Sequence, residues 1–169
     1  MKTLTIIRHA KSDWGSPGLG DHDRPLNFRG DRDAPRMGSF LNEKGISPEV
    51  VLSSTALRAI TTARIITQKL GFPSDSITEM REIYLASVTK LLEIVSQIDE
   101  DVDSAMMFGH NPGFHDLTCE LVGSYNAVEN FPTCSVACLK IHTDTWGEIG
   151  GGDAEIIAHF YPRMLRLGS

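Results

Sequence analysis

The chain has 169 residues, of which 41% are hydrophobic and 22% are charged, a composition typical of a globular protein with one hydrophobic core. Its net charge of −6 argues against a nucleic-acid backbone as the partner, and no apolar run is long enough to cross a bilayer. The first residues lack the apolar stretch of a signal peptide, and the three cysteines have no metal-ligand spacing. We therefore expect one domain over residues 1–169, a monomer in the reducing cytoplasm, with neither a nucleic-acid nor a membrane partner.

The first half of the chain is predicted to alternate strands with helices. An apolar, β-branched run predicts a strand over residues 3–8, and the Gly-, Pro- and Asp-rich segment after it predicts a long loop over residues 9–29. A helix is expected from residue 27 or 30 to residue 44. Residues 50–54 form the second predicted strand, and apolar residues at helical spacing predict a helix over residues 55–71.

The second half of the chain continues the same alternation and ends in two strands. In chain order we predict an extended piece at residues 77–84, a helix at 88–98, a strand at 104–110, a helix ending near 122, and strands at 135–143 and 155–161. Asn111 is expected to cap the helix after the third strand, with Pro112 at its first position. Strands that alternate with helices through long crossovers predict an α/β fold with a mostly parallel sheet.

Charged and polar residues follow three of these strands. The first strand ends at Arg8 and His9, the second at residues 53–54, and the third at His110, while Arg58 falls in the first turn of the helix after the second strand. Ligands of such sheets bind beyond the carboxyl ends of the strands. We therefore expect one edge of the sheet to collect two arginines, two histidines and two helix N-termini.

This combination of groups predicts a pocket for a phosphoryl group. Arginine forks match phosphate oxygens, and helix N-termini add oriented N–H donors. The sequence has no cluster of Asp, Cys or His with metal-ligand spacing and no glycine-rich nucleotide loop, so we expect neither a metal nor a cofactor. A neutral imidazole can attack phosphorus and form a covalent phosphohistidine, which water then hydrolyses.

The motifs "RHA", "SSTALRAITTA" and "GHNPG" together resemble those of the histidine phosphatase superfamily. The longer segments "RHAKSDW", "DHDRPLNFRGDRDAPRMG" and "GHNPGFHDL" resemble its small SixA-type branch, the phosphohistidine phosphatases. The resemblance extends from Leu4 to about Tyr161. It implies a phosphoglycerate mutase-like fold, a three-layer α/β/α sandwich with a mostly parallel central sheet.

The resemblance also implies roles for individual residues. His9 matches the nucleophile, Arg8 and Arg58 match the phosphate-binding arginines, and His110 matches the second histidine of the pocket. Ala10 stands where the commonest wording of the superfamily has Gly, although the small branch accepts alanine. Further candidates for phosphate or substrate binding are Ser12, His22 and Asn111.

The proton donor of the larger branches has no clear counterpart. Glu82 falls in the corresponding region, and the long loop offers three rival carboxyl groups: Asp13, Asp21 and Asp23. Arg24 either approaches the site or pairs with Asp21 or Asp23. Because phosphohistidine needs a dedicated acid less than a phosphoester does, the weak signal favours substrates with an N–P bond.

The sequence therefore predicts a metal-independent phosphatase that acts through phospho-His9, with protein phosphohistidine as the first choice of substrate. A phosphatase or mutase of small phosphorylated metabolites is an alternative within the same superfamily. A binding module that keeps the pocket without turnover is the alternative outside enzymes. The presence of both histidines favours an enzyme, because a binder needs no nucleophile.

Overall fold

Six strands form one sheet at the centre of the structure, a computed structural model that describes residues 1–167. In chain order the elements are β1 (Lys2–Arg8), α1 (Phe28–Glu43), β2 (Val50–Ser53), α2 (Leu57–Lys69), β3 (Thr78–Glu79), α3 (Val88–Ser96), β4 (Ser104–Gly109), α4 (Gly113–Val122), β5 (Val136–Ile141), β6 (Ala154–Phe160) and α5 (Pro162–Leu167). Short 3-10 helices lie between them at Asp21–Asp23, Ser74–Ser76, Arg81–Ile83 and Trp146–Glu148. Residues 168 and 169, which the predicted domain includes, lie outside the described residues.

The strand order β3-β2-β4-β1-β5-β6 brings the predicted site residues to one edge of the sheet. β1 pairs in parallel with β4, β4 with β2, and β2 with β3, while β5 runs antiparallel to both β1 and β6. Arg8 at the end of β1 is in register with Gly109 at the end of β4, and Ser53 at the end of β2 is in register with Phe108. The three strand ends therefore lie side by side.

Helices cover both faces of the sheet and enclose two hydrophobic cores. Along β1, Leu4 and Ile6 face the core that also holds buried residues of α3 and α4, whereas Ile7 faces the core shared with α1 and α2. Burial of each such side chain stabilises the fold by about 1.5–3 kcal/mol. The three-layer α/β/α architecture with a mostly parallel sheet is confirmed.

The structure differs from the predicted elements in three places. The extended piece at residues 77–84 is a two-residue strand followed by a 3-10 helix. α4 begins one residue later than expected, because Pro112 occupies the N-cap and Asn111 lies before it, although Asn111 Oδ1 still accepts from the His115 N–H at 3.2 Å. The six-residue helix α5 was not predicted, because it is too short to show helical periodicity.

None of the helices within residues 1–167 combines the length and the apolar character that crossing a bilayer requires. The cysteines Cys119, Cys134 and Cys138 are all buried and free, as expected for small hydrophobic side chains.

Candidate active site

The predicted nucleophile lies just beyond the end of β1, in the middle of the sheet. The His9 backbone N–H donates to the Gly109 carbonyl oxygen at 3.0 Å, which joins the ends of β1 and β4. The side chain is 6% exposed, and its Nδ1 lies 2.7 Å from the Ala10 carbonyl oxygen. Because a carbonyl oxygen can only accept, Nδ1 carries the ring proton and Nε2 keeps its lone pair.

Both predicted phosphate-binding arginines are held by their terminal nitrogens. Arg8 Nη1 donates to the Phe131 carbonyl oxygen at 3.2 Å. Arg58 Nη1 donates to the Asp21 carbonyl oxygen at 2.6 Å, and Arg58 Nη2 donates to Asp21 Oδ2 at 2.9 Å. The Nε atoms of Arg8 and Arg58 are buried and have no hydrogen-bond partner within residues 1–167. Because buried donors without an acceptor are costly, these two N–H groups favour an anionic ligand.

The second histidine supplies a further unpaired nitrogen next to His9. The rings of His110 and His9 have centroids 5.3 Å apart. His110 Nε2 lies 2.8 Å from Ser54 Oγ, which also accepts from the Ala56 N–H at 3.2 Å. Ser54 keeps its hydroxyl proton for donation, and a hydrogen bond from it to His110 Nε2 would place the ring proton on Nδ1. His110 Nδ1 is buried and lacks a partner in the described part of the chain.

Both histidines are neutral at pH 7. Burial is the main cause that lowers the pKa of His9 to about 3, and the charges of Arg58 and Arg8 act in the same direction. Burial also lowers the pKa of His110 to about 3, with smaller contributions from His9 and Arg58. The site thus combines uncharged imidazoles with fixed guanidinium cations, an arrangement that suits nucleophilic attack on a bound phosphoryl group.

The long loop contributes a carboxylate that contacts Arg58. Asp21 Oδ1 accepts from Arg24 Nε at 3.1 Å, and Oδ2 accepts from both Arg58 Nη2 and the Tyr84 hydroxyl. The hydrogen bond from Tyr84, followed by that from Arg58, holds the pKa of Asp21 well below its usual range. Asp21 is therefore ionised and cannot serve as the proton donor. Arg24 pairs with Asp21 and also approaches the site, where its charge helps to lower the pKa of His9.

Ser12, a predicted substrate contact, accepts a hydrogen bond from the same arginine. Arg24 Nη1 donates to Ser12 Oγ at 2.6 Å and to the Asp13 carbonyl oxygen at 3.1 Å. The Trp14 ring lies against the Arg24 guanidinium, with the guanidinium carbon 3.5 Å from the ring centroid. Arg24 is 8% exposed, so it adds a second buried cation to Arg58, beside the half-buried Arg8.

The other two predicted binding residues lie at the edge of this group. His22 Nε2 is 2.8 Å from Thr55 Oγ1, and the His22 ring packs edge-on against Tyr84 with centroids 4.8 Å apart. Asn111 Nδ2 donates at 2.8 Å to the Phe131 carbonyl oxygen, the acceptor that Arg8 also uses. Asn111 therefore supports the group that holds Arg8. Its contact with a substrate stays a prediction, as does that of His22.

Glu82 lies in the 3-10 helix Arg81–Ile83, two residues before Tyr84, and its side chain is exposed. Within residues 1–167 it forms no hydrogen bond or ion pair with the side chains of the pocket. Its role as the general acid stays a prediction. The described residues also contain no group of three or more His, Cys, Asp or Glu side chains that could hold a metal ion.

The fold and the site together define an α/β protein in which two arginines and a second histidine surround a buried, neutral histidine at the end of the central strand. The family model of the histidine phosphatase superfamily (branch 1) matches residues 4–114. This chain belongs to that superfamily, and within it to the SixA-type branch that its motifs resemble.

Individual relatives agree with this assignment. An uncharacterized protein of Mycobacterium tuberculosis is 31% identical over 165 residues, which cover 93% of this chain and 100% of the relative. A crystal structure of an Agrobacterium tumefaciens protein assigned as the phosphohistidine phosphatase SixA superposes with a TM-score of 0.81 at 27% identity, over 95% of this chain and 98% of the other. The fold is also shared with the protein histidine phosphatase SixA complexed with tungstate, with a TM-score of 0.82 at 23% identity over 96% and 99% of the two chains.

Proposed function

We propose that this protein is a phosphatase that removes the phosphoryl group from phosphohistidine in a partner protein, through a covalent intermediate on His9. The observation that carries the proposal is the state of His9. Its ring is neutral, its Nε2 lone pair is free, and it is buried with two arginines whose Nε–H groups lack an acceptor among the described residues. A nucleophile and the donors for a phosphoryl group are therefore present together.

The proposed reaction has two steps. In the first, His9 Nε2 forms a bond to phosphorus while the bond to the substrate imidazole breaks, and that imidazole nitrogen takes a proton from water. In the second, water attacks the phosphorus of phospho-His9 and gives up a proton, which releases inorganic phosphate and restores His9. Arg8, Arg58 and His110 Nδ1–H would donate to the phosphoryl oxygens in both steps and stabilise the charge of the transition state.

The leaving group supports an N–P substrate. An alkoxide needs a proton in the transition state, whereas an imidazole accepts one readily. The loop carboxyl group that contacts Arg58, Asp21, is held as a carboxylate by Tyr84 and two arginines. A pocket whose nearest acid is ionised is better matched to phosphohistidine than to a phosphoester.

A protein partner is supported by the surface around the pocket. Among the described residues nine large apolar side chains are exposed, and five of them lie in the long loop before α1, at the first residue of α1, or directly beside Arg58 and Tyr84. We call these five the apolar rim: Trp14, Leu19, Phe28, Leu57 and Leu85. Leu57 directly precedes Arg58, and Leu85 directly follows Tyr84. Exposed apolar groups around a binding site are typical of protein interfaces.

The three buried free cysteines agree with the reducing cytoplasm as the predicted location.

The proposal is tested by trapping the intermediate. A protein carrying labelled phosphohistidine should transfer its label to the wild-type chain within a short incubation, and a quench at high pH should preserve the acid-labile phosphoenzyme. The variant His9→Ala should retain no label, because the attacking nitrogen is absent. Label that persists in His9→Ala would show that another residue is the nucleophile.

The controls separate the proposal from its alternatives. His142→Ala removes a half-exposed histidine outside the pocket and should label like the wild type. The same enzyme is assayed against a panel of small phosphoesters, and turnover of these alone would indicate a metabolite phosphatase or mutase. Binding without any turnover would indicate a binding module.

Full activity is expected after exhaustive chelation, because arginines supply the positive charge. A loss of activity with EDTA that magnesium restores would contradict metal independence.

A further inference from the structure

Arg58 uses its guanidinium nitrogens for two different purposes. Both terminal nitrogens donate to Asp21, one to the backbone carbonyl oxygen and one to the carboxylate, at 2.6 and 2.9 Å. The third nitrogen, Nε, is buried and has no partner within residues 1–167. The side chain is 3% exposed, so water cannot replace Asp21 as an acceptor. The terminal nitrogens therefore anchor the group, and Nε is the donor left for a ligand.

The anchor itself is held from three sides. Besides Arg58, the Asp21 carboxylate accepts from Arg24 Nε at 3.1 Å and from the Tyr84 hydroxyl. These donors come from the loop before α1, from α2 and from the 3-10 helix before α3. Charge-assisted hydrogen bonds of this kind are short and directional. The carboxylate consequently has a fixed place even though its side chain is 42% exposed.

Arg8 shows the same arrangement with a different anchor. Its Nη1 donates to the Phe131 carbonyl oxygen, and its Nε is also buried without a partner among the described residues. Arg8, however, is the last residue of the central strand β1, and its backbone is fixed by the sheet. Arg58 lies in the first turn of α2, where Asp21 accepts from both of its terminal nitrogens and the Tyr84 ring lies beside its guanidinium.

We infer that Asp21 is a positioning residue of the phosphatase site, which holds Arg58 by its terminal nitrogens so that Nε–H is presented to the phosphoryl group. This inference rests on the proposed function for its catalytic consequence, but its effect on anion binding is independent of turnover. It also explains why a carboxylate lies next to a phosphate-binding arginine, although the negative charge of that carboxylate repels an anionic ligand.

The direction in which phosphate affinity changes when the Asp21 carboxylate is removed shows whether Asp21 acts by positioning Arg58 or through its own charge. Removing a carboxylate near the pocket would by itself strengthen the binding of an anion. Losing the orientation of Arg58 would weaken it, because a misplacement of about 1 Å costs a rate or affinity factor of about 100. In Asp21→Ala we expect both the affinity for inorganic phosphate and kcat/KM for the phosphohistidine protein to fall by at least about tenfold. Unchanged or tighter phosphate binding would overturn the inference.

A double-mutant cycle shows whether Asp21 acts through Arg58. Lysine cannot bind Asp21 with two nitrogens and still present a third, so Arg58→Lys should lose both affinity and turnover. Adding Asp21→Ala to Arg58→Lys should cause little further loss, whereas independent roles would give the product of the two single effects. The matched control is Asp75→Ala, since Asp75 is an exposed carboxylate in the 3-10 helix Ser74–Ser76, outside the site. It should resemble the wild type.

Two further measurements keep the outcomes separable. Thermal unfolding of each variant identifies loss of fold. If Asp21→Ala does not fold, Tyr84→Phe replaces it: this variant removes one donor to the carboxylate and should also lower phosphate affinity, by a smaller factor. If the wild-type chain binds inorganic phosphate but turns over no substrate, the proposed function fails. The double-mutant cycle of Asp21 and Arg58, measured by phosphate affinity, still decides the role of Asp21. Multiplicative losses in that cycle would refute the role of Asp21 whether or not the chain is an enzyme.

Discussion

Ala10 connects the nucleophile to α2 through its backbone alone. Its carbonyl oxygen accepts from His9 Nδ1 at 2.7 Å, and its N–H donates to Thr62 Oγ1 at 3.0 Å. Thr62 in turn donates to the Arg58 carbonyl oxygen at 2.7 Å. The orientation of the His9 ring and the first turn of α2 are therefore coupled through main-chain groups, which any residue at position 10 would supply. The Ala10 side chain is fully buried, so its small size is what the position requires.

At the same scale, the general acid can be tested by one substitution. If Glu82 protonates the leaving group, Glu82→Gln should slow the hydrolysis of a phosphoester by about 10²–10⁴-fold, the usual contribution of general acid catalysis. Phosphohistidine hydrolysis should change much less, because its imidazole leaving group protonates readily. Steady-state kcat on both substrates is the measurement.

Two outcomes would count against this assignment. Equal losses on both substrates would refute the leaving-group argument. No loss on either would move the acid role to the long loop, where Asp13→Asn is the next variant, and Glu79→Gln, an exposed carboxylate on β3, is the matched control.

Among the elements, those with local signals were predicted well and those held by distant contacts were not. The apolar period of α2 and the continuous apolar run of β1 predicted both elements to within two residues. The roles of Arg8, His9, Arg58 and His110 came from family motifs, and the structure brings all four together. The contacts of Asp21 with Tyr84 escaped prediction, because the two residues lie 63 positions apart and join two loops that no periodicity marks.

The long loop between β1 and α1 and the helix starts around it carry the apolar rim, which gives an element-scale prediction. In the double variant Phe28→Ser with Leu85→Ser, kcat/KM for a phosphohistidine protein should fall by about tenfold or more, because apolar anchors contribute about 1 kcal/mol or more each to a protein interface. Turnover of a small phosphoramidate should stay at the wild-type rate, since the Phe28 and Leu85 side chains are 78% and 59% exposed and are not part of the buried pocket.

A matched pair of exposed residues outside the rim provides the comparison. Tyr125 and Ile157 are 97% and 56% exposed and lie beyond the end of α4 and on β6. Tyr125→Ser with Ile157→Ser removes a comparable apolar surface and should leave both substrates unaffected. Equal losses of protein and small-substrate turnover in the rim variant would mean that the rim supports the pocket and does not dock a partner.

For the whole molecule, the buried histidines predict how stability depends on pH. His9 and His110 have folded pKa values of about 3, against about 6.5 in an unfolded chain, so between these values the unfolded state binds more protons. The free energy of unfolding should therefore fall as the pH is lowered from about 6.5 toward 3, with each histidine contributing up to about 1.4 kcal/mol per pH unit. Urea unfolding at pH 7, 6 and 5 measures the slope.

The contribution of one histidine follows from a variant that cannot titrate. His9→Gln should show a shallower decline than the wild type over the same range, whatever its absolute stability. His142→Gln replaces a half-exposed histidine and should keep the wild-type slope. Identical slopes for wild type and His9→Gln would mean that the His9 pKa is the same in the folded and the unfolded chain, which would contradict the lowered pKa of the folded protein.

The central position of β1 in the sheet has a consequence for the synthesis of the protein on the ribosome. β1 is synthesised before both of its neighbours in the sheet, because β4 and β5 begin only at residues 104 and 136. At typical rates of synthesis the interval is on the order of ten seconds. Throughout that time a strand that is apolar on both faces has neither hydrogen-bonded neighbour, and such an unpaired strand readily joins other chains. His9, which follows β1, therefore reaches its folded surroundings only after both neighbouring strands have been made, well after its own synthesis.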